Sequence, residues 1–325
     1  RLFAKSLRSP EAEAMIRTLF ISMQELNKGA RRPDVGPVGL RRIGVVGAGF
    51  MGAGIAYVSA AAGLDVVLLD RDQETAEKGK AFAHDLISKR VMKGRAKTAD
   101  RDALLARIHP AADDAALADC DLVIEAVFED PQIKAQVMRR IEAAVGPGCI
   151  IASNTSTLPI TGLAGNVSRP QDVVGIHFFS PVEKMMLVEV IRGEGTGDRA
   201  LAMALDYVRA IRKTPIVVND ARGFFANRCV GAYLLEGHKM LMEGVPAPMI
   251  ENAGKAAGMP VGPLSLNDEV ALDLAGQTVA RRALQRLASG LVVFRQLGVE
   301  PGVARHFAEQ AIQRTAGAEQ GVGHE

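Results

Sequence analysis

The stretch R-I-G-V-V-G-A-G-F-M-G-A-G-I-A, Arg42 to Ala56, is followed by V-V-L-L-D, Val66 to Asp70. Its apolar opening, Ile43 to Val46, is short enough for a strand buried on both faces. Gly47, Gly49 and Gly52 stand at G-x-G-x-x-G spacing. The first glycine permits a tight turn out of the strand, the second lets a pyrophosphate approach the backbone, and the third lets the next helix lie close to the sheet. That helix spans Phe50 to Ala62, and its free N–H groups and dipole face the phosphates. Gly47, Gly49, Phe50, Met51 and Gly52 are therefore candidate cofactor contacts. A second apolar run ends in Asp70, roughly 20 residues on, where an acid accepts hydrogen bonds from a ribose. Strand, turn, helix, strand and acid in this order predict a dinucleotide-binding α/β unit. The Asp70 carboxylate repels a 2′-phosphate and favours NAD, although Arg71 beside it offers a 2′-phosphate partner.

At 325 residues the chain is long enough for two domains. Its formal charge is +2, with both signs interspersed, which excludes a nucleic-acid footprint. The three cysteines, Cys120, Cys149 and Cys229, form no C-x-x-C pair and read as reduced, buried thiols of a cytoplasmic protein. No apolar run reaches membrane-span length, no signal peptide is visible, and no metal-ligand cluster is expected. The chain begins with Arg1 and reads as a piece of something longer.

Residues 1 to about 28 read as one amphipathic helix, with Ser9 as N-cap, Pro10 in the first turn and Met15, Leu19, Ile21 and Met23 on its apolar side. Lys28-Gly29 closes it, and a Pro/Gly-rich linker follows. Helices are expected over Glu74–Val91 and Asp100–Ile108, joined by a basic segment from Lys89 to Lys97. A solvated helix end accounts for that segment; the functional reading is a site for the phosphates of an acyl carrier.

Further strands are expected over Cys120–Val127, Cys149–Ala152, Val173–Phe179, Met186–Ile191 and Thr214–Val218. Ligands of open parallel sheets bind beyond the carboxyl ends of the strands. Glu129, Lys134, Asn154 and Ser156 all fall in or just beyond such loops, though each can also serve as a cap or turn former. His177 and Glu189 average to position 183, beside a Ser180-Pro181 break. A hairpin folded there sets them opposite each other on one face, where the acid can orient the ring and stabilise imidazolium. From Asp220 the composition turns helical. Long helices are expected from Gly223 to Glu243, Met249 to Ala257 and Leu264 to Ala275. Asn227 lies in the first turn of one of them, as a plain polar residue or aimed at the cleft.

These residues resemble the L-3-hydroxyacyl-CoA dehydrogenases of fatty acid β-oxidation. The likeness rests on G-A-G-F-M-G-A-G-I-A, V-I-E-A-V-F-E, A-S-N-T-S-T, G-I-H-F-F-S-P-V, V-E-V-I, G-F-F-A-N-R and M-P-V-G-P, and runs from about Arg42 to Ala275. It implies a Rossmann-type doubly wound sheet over 38–219, then a smaller all-helical domain over 220–325 whose tail from about 276 is atypical. Residues 1–37 resemble the linker helix that joins a hydratase to the dehydrogenase in multifunctional α-subunits. The implied activity is NAD-dependent oxidation of a (S)-3-hydroxyacyl-CoA to the 3-oxoacyl-CoA. His177 is implied as base and Glu189 as its partner. Ser156 is implied to bond the substrate oxygen, with Asn227 helping to bind it. Glu129, Lys134 and Asn154 are implied to contact the nicotinamide half, with the Lys93 region near the CoA phosphates. The implied partners are an acyl-CoA substrate and a second copy or a larger β-oxidation complex. Alternatives are a dehydrogenase for another 3-hydroxy acid and an NAD-binding module without turnover. Three departures from the pattern stand out: Ser180 where Asn is common, Arg222 where Pro is usual, and the tail.

Overall fold

The structure is a computed structural model that describes residues 2–269. The expected end of the last helix at Ala275 and the atypical tail lie outside them. The chain divides into two compact units after Phe225, whereas the turn to helical composition comes at 220.

In the first unit, helices α1 (Leu2–Leu7), α2 (Pro10–Ile16) and α3 (Ser22–Asn27) precede the sheet, with a π-helical turn at Arg17–Ile21. The single helix expected over residues 1–28 is thus broken at Ser9. There the Ser9 hydroxyl accepts from the Ala12 N–H at 3.2 Å, and Pro10 takes the first helical position, where no N–H is needed. The apolar side of this segment is not buried: Phe3, Leu7, Met15, Leu19 and Phe20 are each more than half exposed. Arg32 ties the segment down, its guanidinium gripping Asp206 through Nε at 2.8 Å and an NH2 at 2.8 Å.

The sheet has eight strands: β1 (Arg42–Val46), β2 (Asp65–Leu69), β3 (Ile108–Ala111), β4 (Leu122–Glu125), β5 (Ile150–Ser153), β6 (Val173–Phe178), β7 (Leu187–Arg192) and β8 (Thr214–Asn219). Their order is β3-β2-β1-β4-β5-β6-β7-β8. All neighbours are parallel except β6 and β7. Helices α4 (Phe50–Ala61), α5 (Gln73–Met92), α6 (Thr98–Ala106), α7 (Pro131–Ala144), α8 (Ile160–Ala164) and α9 (Asp198–Ala210) connect the strands. Strand β3 was not expected. Its sequence, I-H-P-A, carries a proline and no alternation, and it survives because it pairs on one side only, with β2. Helix α6 accordingly stops at Ala106, and Ile108 belongs to the strand.

Two apolar layers sandwich the sheet. One gathers Ile43, Val45, Val66, Leu68, Leu122 and Ile124 beneath α4 and α9, and the other gathers Val46, Val67, Leu69, Val123 and Ile151 beneath α7 and α8. Alternate residues of each strand face opposite layers, the pattern of strands covered on both sides. Cys120 and Cys149 are buried here, and burial pushes their thiols up to about 11 and about 12. Cys229 is exposed, contrary to the expectation that all three are buried. Thiolates are the reactive form, so a disulfide reagent at pH 8 is expected to titrate one thiol in the native protein and three after denaturation. Rapid reaction of more than one native thiol contradicts the buried placement.

The second unit begins with α10 (Ala226–Met242), followed by α11 (Ala247–Ala256) and α12 (Pro263–Glu269). Small residues bring them together: a Cβ on Gly237 would lie 2.6 Å from Pro263. The Glu251 carboxylate accepts from the Leu264 N–H at 2.8 Å and the Ser265 hydroxyl at 2.6 Å, closing the start of α12.

Candidate active site

The three glycines of the β1–α4 turn do three different things. Gly47 has φ of +102°, and a Cβ there would come 2.7 Å from the Ala126 carbonyl oxygen. A Cβ on Gly52 would lie 1.7 Å from the Gly47 carbonyl oxygen, so α4 sits against the turn itself. A Cβ on Gly49 would meet no atom within 4 Å. The open side of the turn is where a pyrophosphate would approach the start of α4, and Phe50 and Met51 form that first turn. Asp70, at the end of β2, takes the Ala48 N–H on one oxygen at 2.6 Å and the Arg71 N–H on the other at 2.7 Å. Each oxygen keeps a further lone pair for a ribose hydroxyl. The Arg71 side chain is 84% exposed and pairs with Asp72 at 3.1 Å. The donor set of this edge fits a dinucleotide.

His177 and Glu189 face each other across the β6–β7 hairpin in the register that their numbering predicts. His177 Nδ1 and Glu189 Oε2 are 2.7 Å apart, and both side chains are buried. Glu189 Oε1 accepts from the Phe225 N–H at 3.0 Å. With Nδ1–H donated to the carboxylate, the neutral ring carries its acceptor lone pair on Nε2. Phe179 and Phe224 flank the ring, with centroids 4.5 and 5.8 Å away. Phe224 is held at φ of +46°, a costly conformation for an aromatic residue and one that places its ring beside the histidine.

The connection between the two strands is braced from two sides. Lys213 Nζ donates to the carbonyls of Val182 (2.6 Å) and Met185 (2.5 Å), and burial lowers its pKa. A Cβ on Gly54 of α4 would lie 2.8 Å from Val182, so the glycine-turn helix packs directly on this connection. Ser180 is exposed and precedes a cis proline.

Glu129, Lys134, Asn154 and Ser156 converge at the ends of β4 and β5. Glu129 Oε1 accepts from the Thr155 hydroxyl (2.6 Å) and from the backbone N–H groups of Ser156 (2.9 Å) and Thr157 (3.1 Å). Burial raises the Glu129 pKa, but Lys134 and these donors outweigh it and hold the carboxyl below its ordinary value. Asn154 Oδ1 accepts from the Phe178 N–H at 2.9 Å, tying the Ser156 loop to the residue after His177. Lys134 is 1% exposed. Its ammonium faces the carboxylates of Glu125 at 2.8 Å and Glu129 at 3.3 Å. Removing one partner from a buried pair of this kind costs about 3–5 kcal/mol.

One predicted site residue, Lys93, stands apart from this edge. Lys93 follows the last residue of α5, a 20-residue helix, so about 30 Å of helix separates it from the β2 end. Lys89, Arg90, Lys93, Arg95 and Lys97 are all exposed there. Asn227 is in the first turn of α10, in the second unit.

Sequence reasoning passed over Glu125, Lys213 and Asp220. Glu125 is a charge inside an apolar strand, which was a readable signal. Lys213 follows a helix and looks like any basic C-terminus. Asp220 takes the Ile160 and Thr161 N–H groups at 2.9 and 2.7 Å and so caps α8, a pairing 60 and 59 residues apart that has no local signature. Among the described residues no group of three or more potential ligands is placed to hold a metal.

Parallel sheet, glycine turn and ribose acid together define a Rossmann-type NAD-dependent oxidoreductase. The family comparisons make that specific. Residues 42–221 match the NAD binding domain of 3-hydroxyacyl-CoA dehydrogenase, and residues 223–317 match its C-terminal domain. The chain belongs to the 3-hydroxyacyl-CoA dehydrogenase family, and its cofactor is NAD. The second match corrects the reading that the likeness ends near Ala275, since it continues to 317. The fatty acid oxidation complex subunit alpha of Pseudomonas aeruginosa is 41% identical over 271 residues, 83% of this chain. This chain spans only 38% of that protein's length. Among solved structures, (S)-3-hydroxybutyryl-CoA dehydrogenase PaaH1 from Ralstonia eutropha is 36% identical with a TM-score of 0.73, covering 77% of this chain and 89% of its own. FadB2 of M. tuberculosis is 32% identical with a TM-score of 0.74, covering 84% of this chain and 95% of its own.

Proposed function

We propose that this chain oxidises a (S)-3-hydroxyacyl-CoA to the 3-oxoacyl-CoA. The observation that carries the reading is the buried His177–Glu189 pair, 2.7 Å apart, on the sheet that carries the glycine turn. NAD, when bound, supplies the hydride acceptor. His177 Nε2 takes the proton of the substrate hydroxyl, and Glu189 holds the ring in the tautomer that makes Nε2 basic and balances the imidazolium that forms. The Ser156 hydroxyl steadies the substrate oxygen, with its backbone fixed by Glu129. Glu129 and Asn154 shape the pocket for the nicotinamide half. Asn227, in the first turn of α10, helps bind the substrate. The exposed basic residues around Lys93 meet the CoA phosphates as charge-assisted donors.

Residues 1–37 fit a linker to a preceding domain, since their apolar side chains are exposed. The relatives named as complex subunits support a place in a larger fatty acid oxidation assembly, and a dimer is the alternative. Among the described residues no helix is long and apolar enough to cross a membrane. Three free cysteines fit a cytoplasmic setting.

The test is NADH oxidation with acetoacetyl-CoA, alongside NADH titration. Turnover supports the reading. Binding without turnover favours the inactive module, and turnover only with a free 3-oxo acid favours the other substrate class.

Asp70 is expected to enforce NAD over NADP. Hydrogen bonds to a charged group are worth about 1.5–3 kcal/mol, so Asp70→Ala is expected to weaken NADH binding by roughly ten-fold or more and narrow the preference. Equal affinity of the unmodified protein for NADH and NADPH contradicts this role.

A further inference from the structure

Glu125 and Lys134 are buried charges to which the reaction above gives no step. We propose that Glu125 is a positioning residue: together with Lys134 it fixes Glu129, and through Glu129 the Ser156 loop and the cofactor edge. The inference rests on the functional reading above and adds a residue to its machinery.

Glu125 is the last residue of β4 and is fully buried. Its Oε1 accepts from Lys134 Nζ at 2.8 Å and from the Val127 N–H at 2.8 Å, and its Oε2 accepts from the Ser153 hydroxyl at 2.7 Å. Lys134 Nζ also donates to the Val127 carbonyl at 3.2 Å and faces Glu129 Oε2 at 3.3 Å. Of the three ammonium protons, one goes to Glu125 and one to the Val127 carbonyl, while the charge faces Glu129. Lys134 thereby couples the Glu125 carboxylate to that of Glu129.

The arrangement clamps two loops. The Val127 backbone is held at both its N–H and its carbonyl. Its neighbour Ala126 donates to the Val46 carbonyl at 2.8 Å, and the Ala126 carbonyl faces Gly47. The loop after β5 is held by Ser153 on Glu125 and by Thr155, Ser156 and Thr157 on Glu129. Lys134 joins the two carboxylates. A well-packed apolar pair serves stability as well as a buried ion pair does, or better. Stability alone therefore gives no reason for a lysine between two carboxylates at this edge, whereas fixing polar loops to sub-ångström tolerance does.

The test compares the unmodified chain with Glu125→Gln, Lys134→Met, the double variant and Ser153→Ala. Four quantities are measured: amide exchange over 126–130 and 154–158, NADH affinity by fluorescence, kcat and KM with acetoacetyl-CoA, and thermal unfolding. In folded Glu125→Gln both segments are expected to exchange faster. NADH affinity and kcat are each expected to fall about ten-fold or more, because small misplacements are costly, while KM for the acyl-CoA moves little. Lys134→Met is expected to match it, and the double variant to be no worse than the worse single. Unchanged exchange, or affinity and kcat within about two-fold of the unmodified chain, overturns the proposal. If neither charge variant folds, Ser153→Ala decides: smaller shifts in the same readouts support the role, and none overturns it. If the unmodified chain neither binds NADH nor turns over, the functional reading fails, and the exchange data still test the clamp.

Discussion

His177→Gln is expected to lower turnover by about 10²-fold or more, the usual worth of a positioned general base. The ring is buried between two phenylalanines, with Nδ1 committed to Glu189. Its amide replacement keeps polarity but has no titratable nitrogen. Glu189→Gln is expected to cost much in turnover and little in NADH affinity, since its carboxylate acts on the histidine ring. A glutamine at 189 can also present its NH2 to Nδ1, which drives the ring into the tautomer with its proton on Nε2, the wrong one for a base. Because Glu189 acts through His177, the double variant is expected to be barely worse than His177→Gln alone. Losses that simply multiply would show that the two residues act independently and that the 2.7 Å contact is structural only.

Gly49→Ala and Gly52→Ala are expected to fail in opposite ways, although they are three residues apart in one motif. At Gly52 the added methyl would lie 1.7 Å from the Gly47 carbonyl oxygen. That atom belongs to the backbone, so the helix must lift from the turn. Overpacking of this kind costs about 1–3 kcal/mol or more, and the melting temperature is expected to fall by roughly 2–12 °C. At Gly49 the backbone has φ of −67° and ψ of −171°, which alanine adopts freely, and the methyl would meet nothing. The melting temperature is expected to stay within a few degrees of its starting value. NADH affinity is expected to fall by about ten-fold or more, because the methyl stands where the pyrophosphate must approach. Thermal melts and NADH titration separate the two outcomes. Unaltered NADH binding by Gly49→Ala would place the phosphates elsewhere.

Much of this was legible before any coordinates. The first nucleotide-binding unit is written locally: apolar runs of strand length, glycines at fixed spacing, and an acid at the next strand end. Each of these acts within about 30 residues, through backbone sterics and burial, so a linear reading recovers them. The His177–Glu189 pairing was legible for a related reason. A tight hairpin converts sequence separation into register, and twelve residues about position 183 leave both on one face. The basic segment at Lys93 was legible as charge and not as a site. The β3 strand was not legible, because I-H-P-A lacks alternation, carries a proline and owes its conformation to the β2 edge. The N-terminal helix likewise looked continuous by composition, but a serine cap and a proline divide it.

By itself the sequence determined the Rossmann-type unit, NAD as the cofactor, the histidine–glutamate pair and the family. Only the tertiary structure decided what each polar residue at the sheet edge does with its protons. For Lys134, only the fold shows an ammonium held by Glu125 and the Val127 carbonyl and facing Glu129. Lys213 reads as a helix end until it is found beneath the hairpin connection, 28 and 31 residues from the carbonyls it holds. The physical reason is range. Backbone conformation and apolar periodicity are set by near neighbours, whereas a buried charge must be satisfied by whatever the folded chain brings within about 3 Å, and that is decided only when distant segments meet.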